Sequence, residues 1–180
     1  MSLITPREAE ILILNSTTVL GTESVNYTNA LGRVLREDLL ADRPFPPFDR
    51  VTMDGIAFRS ADFDRSPLHL QGLHAAGDPM PPALRPQHCW QVMTGSVMPG
   101  DCDTVIPYEE VLLTGNTASV QCEIAPGRFI HRTGSDAQTG DLVLESGIVL
   151  GPGHLGIAAS IGATELIVTR KPVITILTTG

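Results

Sequence analysis

Apolar residues recur along this chain in short runs, and glycine or proline stands between nearly all of them. Runs of that length, punctuated in that way, predict strands and turns in preference to a helix bundle. Between Gly55 and about Ile130 the strand candidates are Ile56 to Arg59, Leu68 to Leu73, Trp90 to Met93, Thr104 to Pro107 and Ala118 to Ile124. Together they predict a compact β domain. Asp141 to Val149 predicts two further strands around Ser146-Gly147.

Two segments depart from that rhythm. Thr5-Pro6-Arg7-Glu8 has the form T-x-x-E with proline at the first helical position, so the Thr5 hydroxyl can satisfy a free amide while Glu8 reaches back. A helix is predicted from there, with Ala9, Leu12 and Ile13 on its buried face and Asn15-Ser16-Thr17 at its end. Residues Pro152 to Ile161 predict a small-residue helix, with Gly162 just past its end. Glu23 to Ala41 reads as a short strand, a helical turn within Asn29 to Leu35, and a second strand ending before Asp42. Pro44, Pro46 and Pro47 then hold the backbone extended and deny it ladder hydrogen bonds, which marks a domain crossing.

At the other end, Lys171-Pro172 leads into Val173-Ile174-Thr175-Ile176-Leu177 and stops at Thr178-Thr179-Gly180. The run reads as a buried central strand with neighbours on both sides, the first strand of an α/β domain whose remainder is missing. The alternative is an edge strand closing a sheet of the same domain. The first three residues have the look of an expression remnant.

Composition narrows the function classes. With 180 residues, 42% of them hydrophobic, the chain can fill one ordinary core or two small ones. A net charge of −8 with only 12 Lys plus Arg leaves no broad basic face, so no nucleic-acid partner is expected. No apolar stretch approaches the roughly 18 residues of a membrane span, and the opening MSLITPRE lacks the regions of a signal peptide. A cytoplasmic protein without membrane attachment is therefore expected. Cys89, Cys102 and Cys122 are odd in number and too widely spaced for a zinc knuckle or a redox pair, so they are predicted to be reduced packing residues. The five histidines show no close ligand spacing.

Three stretches could carry chemistry. In Phe48-Asp49-Arg50-Val51-Thr52-Met53-Asp54-Gly55 the aspartates sit among turn formers, where such residues also cap their own backbone. From Met93 to Asp103 a strand empties into a loop with Thr94, Gly95, Ser96 and Gly100, and glycine there lets free amides approach an anion. In Arg128-Phe129-Ile130-His131-Arg132-Thr133-Gly134-Ser135-Asp136 the two arginines would share one side of an extended segment and form a cationic strip. Two surface arginines balancing nearby acids are the alternative.

In order and spacing, Ala30-Leu31-Gly32-Arg33-Val34-Leu35 with Glu37-Asp38, the PPFD and MDG segments, Met93-Thr94-Gly95 with its Pro99-Gly100 loop, Arg132-x-Gly134-x-Asp136 and the Lys171-Pro172 strand ending Thr179-Gly180 resemble the molybdopterin molybdenumtransferase family, which includes bacterial MoeA and the C-terminal domain of gephyrin. The resemblance covers nearly the whole chain. It implies an α+β, mainly β fold: an elongated two-domain fragment with bifurcated, coiled β-sheets and a few short helices. Residues 1–44 would form the first part of one domain, 45–135 an inserted β-rich domain, 136–171 the return to the first domain, and 172–180 the first strand of an absent pterin-binding domain.

The activity implied is insertion of molybdenum from molybdate into adenylylated molybdopterin, with a divalent metal such as Mg2+ and release of AMP. It further implies a homodimer and, as a partner, molybdopterin adenylyltransferase. Carried over by motif, Asp54, Thr94 and Asp136 are the expected catalytic residues, and Asp54 and Asp136 also the expected metal ligands. Asp49, Met53, Gly55, Gly95, Ser96 and Arg132 are expected to bind substrate, with Thr94 and the Gly95 amide gripping an oxyanion. The chain departs from the usual S-A-M-D-G-Y-A, G-E-D and A-P-x-P-x-G patterns at Val51-Thr52, Ile56, Ser135 and Ser96 to Asp101. A non-catalytic dimerisation or scaffold module of the same fold is the alternative, and a relative handling tungstate is a third reading.

Overall fold

The computed structural model describes residues 4–178; the initial three residues and the terminal Thr179-Gly180 motif lie outside the described residues. Two helices, α1 (Pro6–Ser16) and α2 (Pro152–Ser160), accompany twelve strands among the described residues. The strands are β1 (Thr22–Asn26), β2 (Leu39–Leu40), β3 (Arg50–Val51), β4 (Gly55–Phe58), β5 (Leu68–His74), β6 (His88–Val92), β7 (Thr104–Pro107), β8 (Val111–Thr114), β9 (Thr117–Val120), β10 (Ile130–His131), β11 (Leu142–Leu144) and β12 (Glu165–Thr169). The fold is mainly β, as expected, and divides into one unit of Met1–Leu40 with Leu142–Gly180 and another of Ala41–Asp141.

The first unit is built on two antiparallel pairs. β1 runs against β12 from Thr22 opposite Thr169 to Asn26 opposite Glu165, and β2 pairs with β11. Isolated bridges join Val34 to Val149 and Leu35 to Val168, so the two segments around Ser146-Gly147 pair with the 34–40 region and not with each other. Leu35, Leu39, Leu144, Leu150, Leu166 and Val168 are buried here. Arg33 ties the edge together, forming an ion pair with Glu23 and donating to the Thr169 carbonyl at 2.6 Å.

Helix α1 starts where its cap predicts. The Glu8 amide donates to Thr5 Oγ1 at 3.3 Å and the Thr5 amide to Glu8 Oε2 at 2.7 Å, closing the reciprocal box. The expected buried face is not formed: Leu12 is 59% and Ile13 62% exposed, and Ala9 is only half-buried. Ile11 to Leu14 are four consecutive apolar residues that sweep around the helix, so one packed stripe could not have hidden them all. Residues 173–177 were expected as the first strand of a domain that lies outside this chain. They form no strand, and Val173 is 96% and Leu177 87% exposed, because none of the described residues pairs with them.

The second unit carries a six-stranded sheet in the order β7-β4-β6-β5-β9-β8. All neighbours are antiparallel except β5 and β6. Val51, Ile56, Phe58, Leu68, Cys89, Val92, Val105 and Ile106 form its core. β4 is buried at every position between β6 and β7. A Cβ on Gly55 would fall against the Ile106 carbonyl oxygen, so only glycine lets these two strands close. The proline-rich leg lies inside this unit, and Phe45 nevertheless pairs with Ala137, since proline removes only its own donor.

Candidate functional site

Strand β3 is only two residues long, yet it holds the site together. On one side the Gly95 amide donates to the Val51 carbonyl at 2.8 Å, the Val51 amide to Ser96 at 3.0 Å and the Met98 amide to Asp49 at 2.8 Å. On the other side β10 pairs with it, Ile130 opposite Val51 and His131 opposite Arg50, and the Thr52 amide donates to Phe129 at 3.0 Å. The segment after β10 is anchored in turn: the Asp136 amide donates to Phe45 at 2.9 Å and the Gly134 amide to Pro46 at 2.9 Å. One backbone framework therefore carries Asp49, Asp54, Thr94, Arg132 and Asp136.

Gly95 has φ 87°, a turn that side-chain-bearing residues rarely adopt. It follows Thr94, whose amide and hydroxyl both donate to Asp54 Oδ1 at 2.7 Å. Both residues are exposed. The Thr94 amide, and then its hydroxyl, hold the Asp54 carboxyl below the usual carboxylate range.

Asp49 is held by the next loop. The Thr133 amide donates to its Oδ1 at 2.8 Å and the Thr133 hydroxyl at 3.0 Å, while Arg132 pairs with Oδ2. The Thr133 amide bond is the largest influence lowering this carboxyl; partial burial opposes it without reversing the direction. Asp136 accepts from His131 Nε2 at 2.8 Å and from Ser135 Oγ at 3.4 Å, both on Oδ1. On its other nitrogen, Nδ1, His131 meets Arg50 Nη2 at 3.1 Å.

Several sequence expectations change here. The Gly95 amide does not face an anion, because it is committed to Val51. Gly55 and Ser96 are buried, and the Ser96 hydroxyl has no hydrogen-bond partner among the described residues, so neither presents a group at the surface. Met53 is 37% exposed beside Asp54 in the chain. The cationic strip is absent: Phe129 turns the chain at φ 59°, Arg128 pairs with Glu110 at 3.6 Å and lies over the Phe129 ring, and Arg132 pairs with Asp49. Arg50, His131 and Thr133 were not anticipated. Their roles follow from the pairing of β3 with β10, which two-residue strands do not announce in sequence.

The site offers carboxylate oxygens more than donors. Neither Asp54 Oδ2 nor Asp136 Oδ2 accepts a hydrogen bond from the described residues. Among those residues no three His, Cys, Asp or Glu side chains gather as a metal cage. Mg2+ needs no such cage, since it takes one or two carboxylates and completes its shell with water and substrate phosphates. A separate groove of about 670 Å³, lined by Phe63, Arg65, Val120, Cys122 and Ile124 among others, contains none of these residues.

Residues 4–162 match the family described as the MoeA N-terminal region, domain I and II. The molybdopterin molybdenumtransferase of Synechocystis sp. is 38% identical over 164 residues, covering 89% of this chain and 42% of that protein. The Haemophilus influenzae protein of the same name is 34% identical, over 88% of this chain and 40% of its own length. The crystal structure of the molybdopterin biosynthesis moeA protein from Pyrococcus horikoshii OT3 superposes with a TM-score of 0.85 at 31% identity, covering 95% of this chain and 47% of that one. The chain thus spans less than half the length of these relatives.

Proposed function

We propose, from the premise that this chain belongs to the MoeA N-terminal region family, that it is the amino-terminal region of a molybdopterin molybdenumtransferase, which inserts molybdenum from molybdate into adenylylated molybdopterin and releases AMP. The observation that carries this reading is the Asp54–Thr94 pair, an exposed carboxylate oriented through one oxygen and open at the other. It occurs in the two motifs, MDG and MTG, by which the sequence resembles the family.

In this reading Thr94 keeps Asp54 ionised and aimed, and Asp54 and Asp136 present their second oxygens to a divalent cation. A bound Mg2+ would supply the positive charge that adenylate phosphate and molybdate oxygens need beside carboxylates. Arg132, exposed and paired through one guanidinium arm to Asp49, would meet an anionic substrate directly. Asp49 holds Arg132 and Thr133 in place, so its role is support. Exposed Ile11, Leu12, Ile13 and Leu14 on α1 suit coverage by a second copy, and we include a homodimer in the proposal. No helix among the described residues is long and apolar enough to cross a membrane. The proposal places the protein in the cytoplasm, beside the adenylyltransferase that would supply the substrate.

The test is molybdate-dependent AMP release from adenylylated molybdopterin by the intact protein. Asp54→Ala is expected to abolish it without unfolding the chain. Unchanged turnover in that variant refutes the assigned role.

A further inference from the structure

We infer that His131 is a positioning residue for Asp136, and that Arg50 selects the imidazole tautomer that lets it act. The argument begins with donor chemistry. A guanidinium has N–H donors and no acceptor, so the contact of Arg50 Nη2 with His131 Nδ1 at 3.1 Å requires a lone pair on Nδ1. The neutral ring then carries its proton on Nε2, because the partner of one nitrogen sets the state of the other. That proton points at Asp136 Oδ1, 2.8 Å away.

The backbone makes the arrangement stiff. His131 lies directly opposite Arg50 in the β3–β10 pair, and the Asp136 amide is tied to Phe45. Both ends of the relay thus rest on backbone hydrogen bonds. Oδ1 of Asp136 is occupied by His131 and Ser135, which leaves Oδ2 as the oxygen presented to a ligand. His131 acts on orientation only and touches no reacting atom. The inference rests on the proposed role of Asp136 for its functional consequence, but the tautomer stands or falls alone.

Two measurements separate these levels. The first uses the intact protein labelled with 15N-histidine and two-bond 1H–15N correlation spectra in neutral buffer, with the His131 signals identified by their loss in His131→Gln. A pyridine-type Nδ1 and a protonated Nε2 are expected, with Arg50→Leu admitting the opposite tautomer. A protonated Nδ1 in the parent, or no response to Arg50→Leu, overturns the inference.

The second measurement is turnover. His131→Leu is expected to lower kcat about 10-fold with KM little changed, in the range found when a group orienting a ligand is removed. His131→Gln, whose carboxamide N–H can replace Nε2–H, should recover most of that loss. Equal impairment in both variants, or none in either, overturns positioning. If Asp54→Ala and Asp136→Asn also leave AMP release intact, the functional proposal has failed instead, and the spectra still decide the tautomer.

Discussion

Thr94 meets Asp54 twice on a single oxygen: its amide nitrogen and its hydroxyl both lie 2.7 Å from Asp54 Oδ1. The two residues are distant in sequence, and the Gly95 turn and its bond to Val51 bring them together. The carboxylate gains two donors on one oxygen, while its other oxygen accepts no hydrogen bond from the described residues.

That geometry predicts a titration. Because both bonds favour the ionised form, the Asp54 carboxyl lies below its ordinary value. Its contribution to stability is present above the unfolded-state value near 4 and is lost as pH falls through the lower folded-state value. Thr94→Val keeps the amide and removes the hydroxyl, so the Asp54 midpoint should rise while staying acidic. A carboxyl 13C titration measures this, and an unmoved midpoint counts against the hydroxyl's contribution.

Asp49 makes a parallel case in acid. Its carboxyl is lowered first by the Thr133 amide, against partial burial, with Arg132 and the Thr133 hydroxyl assisting. The sign is the same: stability from this group is complete above about pH 4 and drains away below it. Asn at this position cannot titrate. Asp49→Asn should be less stable than the parent near neutrality and lose less between about pH 4 and pH 2. Urea unfolding across that range is the measurement, and parallel pH profiles would contradict the assignment.

Two glycines should respond oppositely to alanine. Gly55 lies in the buried strand β4, where a Cβ would collide with backbone at Ile106. Gly55→Ala should cost about 3 kcal/mol or more, the upper range for overpacking. Gly156 is exposed inside α2 with open space around its Cβ position. There alanine should stabilise by about 0.5–1 kcal/mol through helix propensity. Chemical denaturation of the pair tests both, and loss of stability at both sites would contradict the reading of α2.

The thiols should be quiet in the native state. Burial pushes Cys89 up to about 12, and burial, followed by the Asp101 carboxylate, does the same to Cys102. Cys122 is raised too, first by burial and then by Glu110. With so little thiolate available, a disulfide reagent near pH 8 should react slowly with all three and with Cys89 slowest, whereas denaturant should release three equivalents. Fast native labelling of Cys89 would show that the sheet core opens readily.

How much was legible in sequence depended on the range of the interaction. The T-x-x-E cap, the glycine after α2 and the strands at Thr104–Pro107 and Leu68–His74 matched their local signals. The fate of an apolar run was not local. Ile11 to Leu14 and Val173 to Leu177 look buried in composition, yet burial needs a partner surface, and the described residues provide none. β8 and β12 were missed because each lies beside turn formers that broke the apparent pattern, although the ladder with a neighbour sustains it.

By itself the sequence determined the mainly β character, where the two helices lie and the motif order that places the chain in its family, since these depend on residue type and on neighbours within a turn or two. Only the tertiary structure decided that the Gly95 amide is spent on Val51, that Ser96 is hidden, and that Arg50, His131 and Asp136 form a line. The first two hang on hydrogen bonds between β3 and the loop around Gly95 and Ser96, and the last on the register between two-residue strands about eighty positions apart; contacts so short leave no periodic trace in the amino-acid pattern.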